Sequence, residues 1–577
     1  MERRVFIAIL LSFVVIYAYQ ALFLPPPSPP QRAATTQPST QARPAPGAVE
    51  RPEPDQAPAA PPVEVVVSEP SEREVVVETD TVEAVFTNRG GRLVHWRLKH
   101  YRDATGKPVD MVPSEVPAEE PRPFSLEVDD AQLTARLNTA LYRVSGDTQG
   151  RVDATSQPAT VAFEYQDAAG LQARKEFRFE PGGYIVTFSA AVSNGGQPLN
   201  PVLQWGPGLD DAGAISGGGS FFTANYVQPP EAIYHLEGDV ERLRAGDVTE
   251  DPVHEGRFRF AGVDDHYFLA AAIDPGQARL EYRALTLPGE GDRSRQFMAH
   301  AIRFPQAPSA VRYFVGPKQF DILREVDPEL VRAINFGIFA WLVIWLLGPL
   351  KWLYGVLGNY GWAIVVLTIF INLLMAPFRH KSVVAMRKMQ EIQPQMKAIQ
   401  ERYAHLKMSD PARQKMNTEI MNLYREKGVN PASGCVPMLL TMPVLLAFYS
   451  MLSMSIELRD APFTGWIRDL SAADPYFVLP ALMGVSMFWQ QRITPTTADP
   501  TQQRVMMVMP VLFTVMMAFA PSGVVLYWFV SQLWAIGQQY FTNWLIGPPV
   551  VAAARPPAER RLKSAGSGKS PGAAKRS

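Results

Sequence analysis

The chain changes texture four times. Residues 1–24 open MERR and continue VFIAILLSFVVIYAYQALFL, about 20 apolar-dominated positions, enough to span a bilayer as a helix. A cleaved signal peptide would carry a shorter apolar region and a small-x-small cleavage site. LFLPPP offers none, so a retained anchor is expected, with Arg3 and Arg4 holding its start in the cytoplasm. Residues 25–62 hold 13 prolines among Ala, Gln, Thr and Ser. Such a stretch cannot bury a core and reads as an extended, disordered tether.

From 63 to 325 the pattern turns to short alternating or β-branched runs: EVVVETDTVEAVF, ATVAFEYQ, ARKEFRF, GYIVTFSAAV, GRFRFAGV and ARLEYRAL. NRGG, EPGG and SNGG separate them as turn signals. Many short strands at such spacing predict a large β-sandwich. SGGGS at 216–220 is not followed by a helix opening with Lys-Ser/Thr, so it reads as a loop and not a phosphate cradle.

Beyond 330 the chain is membrane-like. Residues 330–357 are apolar but interrupted by Gly348-Pro349 and Lys351, and they carry three tryptophans between 341 and 352. Clear spans follow at 358–378, 432–457, 475–491, 505–520 and 522–546. If the first of these crosses inward, 379–428 is cytoplasmic, as are Arg492–Arg504 and the basic tail 547–577. Counting 330–357 as a further crossing would put those basic segments outside. The positive-inside rule therefore predicts an interfacial helix at 330–357, six spans, and both termini inside.

Two sets of positions break the simple pattern. In LTIFINLLMAPFR (367–379), Thr368 and Asn372 lie four residues apart, on one face of a mid-membrane helix. That face must meet water, another helix or a passing substrate, because an unsatisfied amide in hydrocarbon is costly. Ser450, Ser453, Ser531 and Gln532 are possible interhelical partners. In 379–428, Met389, Ile392, Met396, Ile399, Tyr403 and Leu406 follow a heptad seam. After Ser409-Asp410-Pro411 a shorter helix carries Met416, Ile420 and Leu423, so the segment predicts a helical hairpin. Mutual packing accounts for such seams. The excess of methionine adds a second reading, an adaptable surface for nascent chains or a ribosome.

Charge and composition sharpen this. The net charge of −1 hides a division: residues 50–330 hold 44 acidic and 27 basic side chains, and the rest hold 12 and 28. An acidic outer part and a basic membrane part describe two environments. A single cysteine, Cys435, excludes an intramolecular disulfide, and the eight histidines form no HExxH or Cys/His cluster. No P-loop is visible, and neither metal nor cofactor is expected.

The motifs MAPFR (375–379), NPASGCVPMLLTMPVLLAFYSML (430–452), IELRDAPFTGWIRDLSAADPYFVLPALMGVSMF (456–488), TPTTADPTQQRVMMVMPVLFTV (494–515) and PSGVVLYWFVSQ (521–532) resemble the YidC/Oxa/Alb family of membrane protein insertases. The anchor, proline linker and β domain are similar in layout to its Gram-negative form. The resemblance implies a polytopic α-helical membrane protein with a five-helix insertase core, a large periplasmic β-supersandwich domain and a cytoplasmic helical hairpin. It also implies a hydrated groove in the inner leaflet, open to cytoplasm and lipid. Carried over by motif, the groove positions fall on Thr368, Asn372, Thr441 and Trp528. A hydrophobic slide is expected among Met438, Met442, Phe448 and Met451, and hairpin contacts at Met389, Met396 and Arg402. The family commonly has arginine where this chain has Asn372, so substrate attraction by a charge at that position is not carried over.

The function implied is insertion of nascent membrane proteins without chemistry. Polar segments cross through the groove while hydrophobic segments partition into lipid, alone or beside a Sec translocon, with the ribosome and membrane lipids as further partners. Two other classes make different demands. A solute transporter with a fused binding domain would want inverted repeats and intramembrane charge pairs, which the sequence lacks. An envelope scaffold would lose its function on deletion of the β domain, whereas an insertase core would keep much of it.

Overall fold

The computed structural model describes residues 65–103, 105–113, 117, 120–209, 228–288, 294–308, 310–403, 412–428, 436–494 and 500–547. The N-terminal apolar segment, the proline-rich stretch, SGGGS, the Ser409–Pro411 break, Cys435 and the basic tail lie outside them.

The first part is rich in β-structure. A 14-stranded sheet and a five-stranded sheet face each other. The strand Leu171–Phe179 shows why. In LQARKEFRF the alternate residues Leu171, Ala173, Lys175, Phe177 and Phe179 are buried, and those between them are more exposed, the period-two pattern of a half-buried strand. It pairs antiparallel with Ile185–Asn194, placing Phe177 opposite Phe188. Phe86, from the five-stranded sheet, lies 4.5 Å from the Phe177 ring. Trp96 of that sheet donates its indole N–H to Val315 O of the larger sheet at 2.9 Å. Aromatic packing across the gap is the glue of the sandwich.

Lys175 is the exception on this inward face. It has no exposed surface, and its ammonium reaches Gly90 O at 2.7 Å and Phe124 O at 2.8 Å. Burial pulls its pKa well below the ordinary lysine value, and the nearby Arg92 adds to this.

Ten helices are described in chain order: α1 (Ala131–Thr139), α2 (Ala245–Glu250) and α3 (Phe320–Val326) decorate the β part, followed by α4 (Ala340–Leu357), α5 (Tyr360–Arg402), α6 (Ala412–Glu426), α7 (Val436–Met454), α8 (Val478–Ile493), α9 (Pro500–Met517) and α10 (Ser522–Ile546). Gly337–Leu357 and Tyr360–Arg402 are each long and apolar enough to cross a membrane by length and composition. Trp341, Trp345 and Trp352 of α4 are all exposed. Gly358, at φ 65°, ends α4 in the left-handed conformation, and Asn359 then caps α5 by accepting from Trp362 N.

α5 is continuous over 43 residues, about 65 Å at 1.5 Å per residue, twice a hydrocarbon core. The apolar segment that predicts a span and the Met-rich segment that predicts a hairpin arm are thus one rod. The change at Arg379 alters the expected surroundings of the helix and leaves its backbone helical, and Pro377 and Pro394 do not break it.

The β part and the helices join through polar contacts, some buried and some exposed. His266 Nε2 donates to Ser453 O at 2.8 Å. Lys351 Nζ stands 2.8 Å from both Asp321 and Glu457. The Arg459 guanidinium lies 5.3 Å from the rings of Tyr267 and Phe268 and donates to Arg102 O.

Candidate functional site

A cavity of about 440 Å³ opens among α5, α7, α8 and α10. Its upper limit is set by packing. Phe448 of α7 stacks on Tyr527 of α10, ring centroids 4.3 Å apart, and both are buried. Gly484 brings α8 against α9, where a Cβ would stand 2.1 Å from Thr514 Oγ1. Phe513 of α9 packs on Trp528 at 4.6 Å.

Below that layer the wall turns polar. Thr441 and Met442 enter from α7, Arg379 and Ser382 from α5, Gln490 from α8, and Trp528, Ser531, Gln532, Gln538 and Gln539 from α10. Three of these carry buried polar atoms with no hydrogen-bond partner among the described residues, Trp528 Nε1, Gln532 Oε1 and Gln538 Oε1. Buried donors and acceptors are normally satisfied, by water where protein does not reach them. A cavity this large, with unfilled partners on its wall, suits water or the backbone of a guest chain. Arg379 has no carboxylate in ion-pair range among the described residues.

The groove positions expected from the sequence separate into two groups. Thr441 and Trp528 line the cavity. Thr368 and Asn372 do not; they are 0% and 4% exposed, in the packed layer between α5 and α10. Thr368 Oγ1 donates to Ile364 O at 2.6 Å, a backbone-directed bond typical of threonine in helices. Asn372 Nδ2 donates to Thr368 O at 2.8 Å and to Ser531 Oγ at 3.3 Å. Among the slide positions, Met442 is 39% exposed and borders the cavity, whereas Phe448 and Met451 are fully buried. The side chain of Met438 lies outside the described residues.

The hairpin positions hold two helices together. Met389 and Ile392 of α5 are buried against Tyr424 of α6. Tyr424 directs its hydroxyl to Met396 Sδ at 2.8 Å. Arg402 pairs with Glu419 at 3.0 Å, and Tyr403 donates to the same carboxylate at 2.7 Å. Arg387, one of the basic residues of this stretch, is spent on structure: it donates to Gly547 O and Asn543 Oδ1 at the end of α10.

Sequence reasoning did not single out Arg379, Gln490, Gln538 or Gln539. Arg379 ends a quoted motif and reads as the border of a span. Its seven-residue offset from Asn372 is the signal that was available, since seven residues make nearly two helical turns and share one face. The glutamines of α10 sit in WAIGQQYFTNWL without a periodicity that distinguishes a cavity wall from a headgroup-facing end. Among the described residues no group of three His, Cys, Asp or Glu side chains is placed to hold a metal ion.

Known proteins give this geometry a family. A family model described as the YidC periplasmic domain matches residues 74–349, and one described as 60Kd inner membrane protein matches 352–547. The chain is 33% identical to the membrane protein insertase YidC of Geobacter metallireducens, over 94% of this chain and 98% of that one. It is 33% identical to the protein of the same name in Syntrophus aciditrophicus, over 94% and 99%, and 34% identical to that of Citrifermentans bemidjiense, over 94% and 99%. Among solved structures, an active YidC insertase with its first transmembrane domain resolved aligns over 84% of this chain and 94% of its own at a TM-score of 0.34 and 18% identity. The β-rich part is the family's periplasmic domain and the helical part its membrane region. With two family models that together span most of its length and full-length relatives at one-third identity, this chain belongs to the YidC family of membrane protein insertases.

Proposed function

We propose that this protein inserts membrane proteins by lending the polar part of a client a partly hydrated route across the inner leaflet. The observation that carries the reading is the cavity among α5, α7, α8 and α10, where, among the described residues, Arg379 has no carboxylate in range and Trp528 Nε1, Gln532 Oε1 and Gln538 Oε1 have no hydrogen-bond partner. The name shared by its relatives, membrane protein insertase, agrees.

The physical account is a barrier argument. A hydrophobic client segment gains roughly 25 cal/mol per Å² of apolar surface removed from water. A charged residue dragged to mid-bilayer costs about 2.5–3.5 kcal/mol on insertion scales. Water reaching part-way up a groove shortens the dry path and lowers that cost. Lipid partitioning then drives the rest, so no nucleotide is needed. Thr441, Trp528 and Arg379 face the client's polar segment. Met442 guides its apolar one. Asn372, on the same face of α5 as Arg379, ties α5 to α10 at the dry end of the groove, with the buried Thr368 one turn before it. Arg379 here supplies the positive charge that the family commonly places two helical turns earlier.

In this reading the chain spans the inner membrane six times with both termini inside. The β domain is periplasmic, α4 lies in the interface with its tryptophans in the headgroups, and the α5–α6 pair stands in the cytoplasm. Met389, Met396 and Arg402 keep that pair rigid for ribosome and nascent chain. A Sec translocon and the surrounding lipids are the remaining partners.

The test is site-directed crosslinking from position 442 and from position 379 to a ribosome-stalled membrane protein. Contacts from both positions are expected, 379 to the hydrophilic flank and 442 to the apolar segment. Crosslinks confined to neighbouring helices of the protein itself would overturn the reading.

A further inference from the structure

The β domain contains a second cavity, of about 790 Å³, that insertion leaves unused. Six arginines stand on its wall, and four of them are already paired with carboxylates. Arg92 and Arg122 are not. Neither has a carboxylate in ion-pair range among the described residues, and Arg92 spends only its Nε–H, on Arg89 O at 3.2 Å. Burial holds Arg92 below the ordinary arginine pKa, and the charges of Arg122 and Arg89 push the same way. Of the acidic wall residues without an arginine partner, Glu127 accepts from Gln204 at 2.5 Å and Glu281 is exposed. Two guanidinium groups are thus held within each other's field, and Glu72 offsets that repulsion only in part.

The neutral part of the wall is equally incomplete. Ser125, Trp205 and His300 are 1%, 1% and 3% exposed. Ser125 Oγ, Trp205 Nε1, His300 Nδ1 and Arg122 Nη1 all lack a hydrogen-bond partner among the described residues. A buried polar atom left unmatched is destabilising, and four of them around one cavity form a concentrated deficit. Desolvation lowers the His300 pKa to about 3, so its ring is neutral and adds no charge of its own. Cavities of roughly 300–1,000 Å³ are the size class of small-molecule sites. A bare ion would leave most of this one empty.

We infer that this cavity is a binding site for a small organic anion, held by its phosphate or carboxylate oxygens between Arg92 and Arg122, with its body against Ser125, Trp205 and His300. Paired guanidinium forks suit these oxyanions because each can donate two parallel N–H bonds. A soluble phosphate ester and a phospholipid headgroup share this chemistry.

Calorimetry of the full-length protein in phosphatidylcholine nanodiscs tests the site. The probes are glycerol 3-phosphate, gluconate and dihexanoyl phosphatidylglycerol below its micellar concentration. Saturable one-to-one binding of at least one probe is expected, weakened at least tenfold in R92Q and in R122Q and less in R92K. Tighter binding of glycerol 3-phosphate assigns a soluble ester. Tighter binding of the short lipid assigns a headgroup, and binding of gluconate alone assigns a carboxylate. Near-ultraviolet circular dichroism identifies a variant whose sandwich is unfolded, and the other arginine variant then carries the test. Absence of saturable binding by all three probes overturns the site, as does unchanged affinity in a folded R92Q or R122Q.

Discussion

The amide of Asn372 donates to Ser531 Oγ across 3.3 Å, and Ser531 is itself part of the cavity wall. A polar residue in the middle of the second predicted span is therefore tied to the groove through one hydroxyl, while its own surface is shut away from it. Replacing Asn372 by alanine should cost about 0.6 kcal/mol, the average for an interhelical hydrogen bond in a membrane. Insertion should continue. In a variant lacking Cys435, a cysteine placed at 442 should react quickly with a membrane-impermeant thiol reagent supplied from the cytoplasmic side, and one at 372 slowly. Fast labelling at 372 would move the wet face up by two turns.

In the proposed route Arg379 offers the client a positive charge, with no carboxylate in ion-pair range among the described residues. Arg379→Gln should slow insertion of clients whose translocated segment is acidic by several-fold, and spare those with a neutral segment. Protease protection of pulse-labelled clients gives the readout. Equal slowing of both classes would reduce Arg379 to a structural residue.

Lys351 links the two parts of the chain, with Glu457 almost wholly buried on one side and Asp321 exposed on the other. Lys351→Met strands the buried Glu457 carboxylate and should cost about 3 kcal/mol. Asp321→Asn breaks a solvated pair and should cost under about 1 kcal/mol. Thermal unfolding of the two variants in the same detergent separates the cases.

His300 makes the β domain acid-sensitive. Its ring is buried beside Trp205, Tyr282 and Tyr313, and its folded pKa is about 3 against an ordinary value of 6.5. Between those values the unfolded chain binds a proton that the folded chain refuses. The stability it contributes is present above pH 6.5 and lost as the pH falls toward 3. In His300→Asn, the drop in denaturant midpoint between pH 7 and pH 4.5 should be smaller than in the unaltered protein. An identical drop would remove His300 from the acid response.

Much of this molecule is written locally. The alternation in LQARKEFRF specifies a half-buried strand, and the apolar run ending at MAPFR a membrane helix, because each depends on neighbours two to four residues away. Met389, Ile392 and Met396 announce a packed seam for the same reason, and Tyr424 completes it. The sequence was less informative where one signal had two physical outcomes. Thr368 and Asn372 share a face, but a shared face does not say whether it meets water or Ser531.

By itself, then, the sequence determined that the first part is rich in strands and the later part in apolar helices, the motifs of the family, and the polar positions that need explanation. Tertiary structure alone decided that α5 runs unbroken past Arg379, that Asn372 is packed while Thr441 and Trp528 stand on the cavity, and that Arg92 and Arg122 meet in one pocket. Periodicity travels along a single element. A cavity is made where several elements fail to touch, and no one of them records the gap.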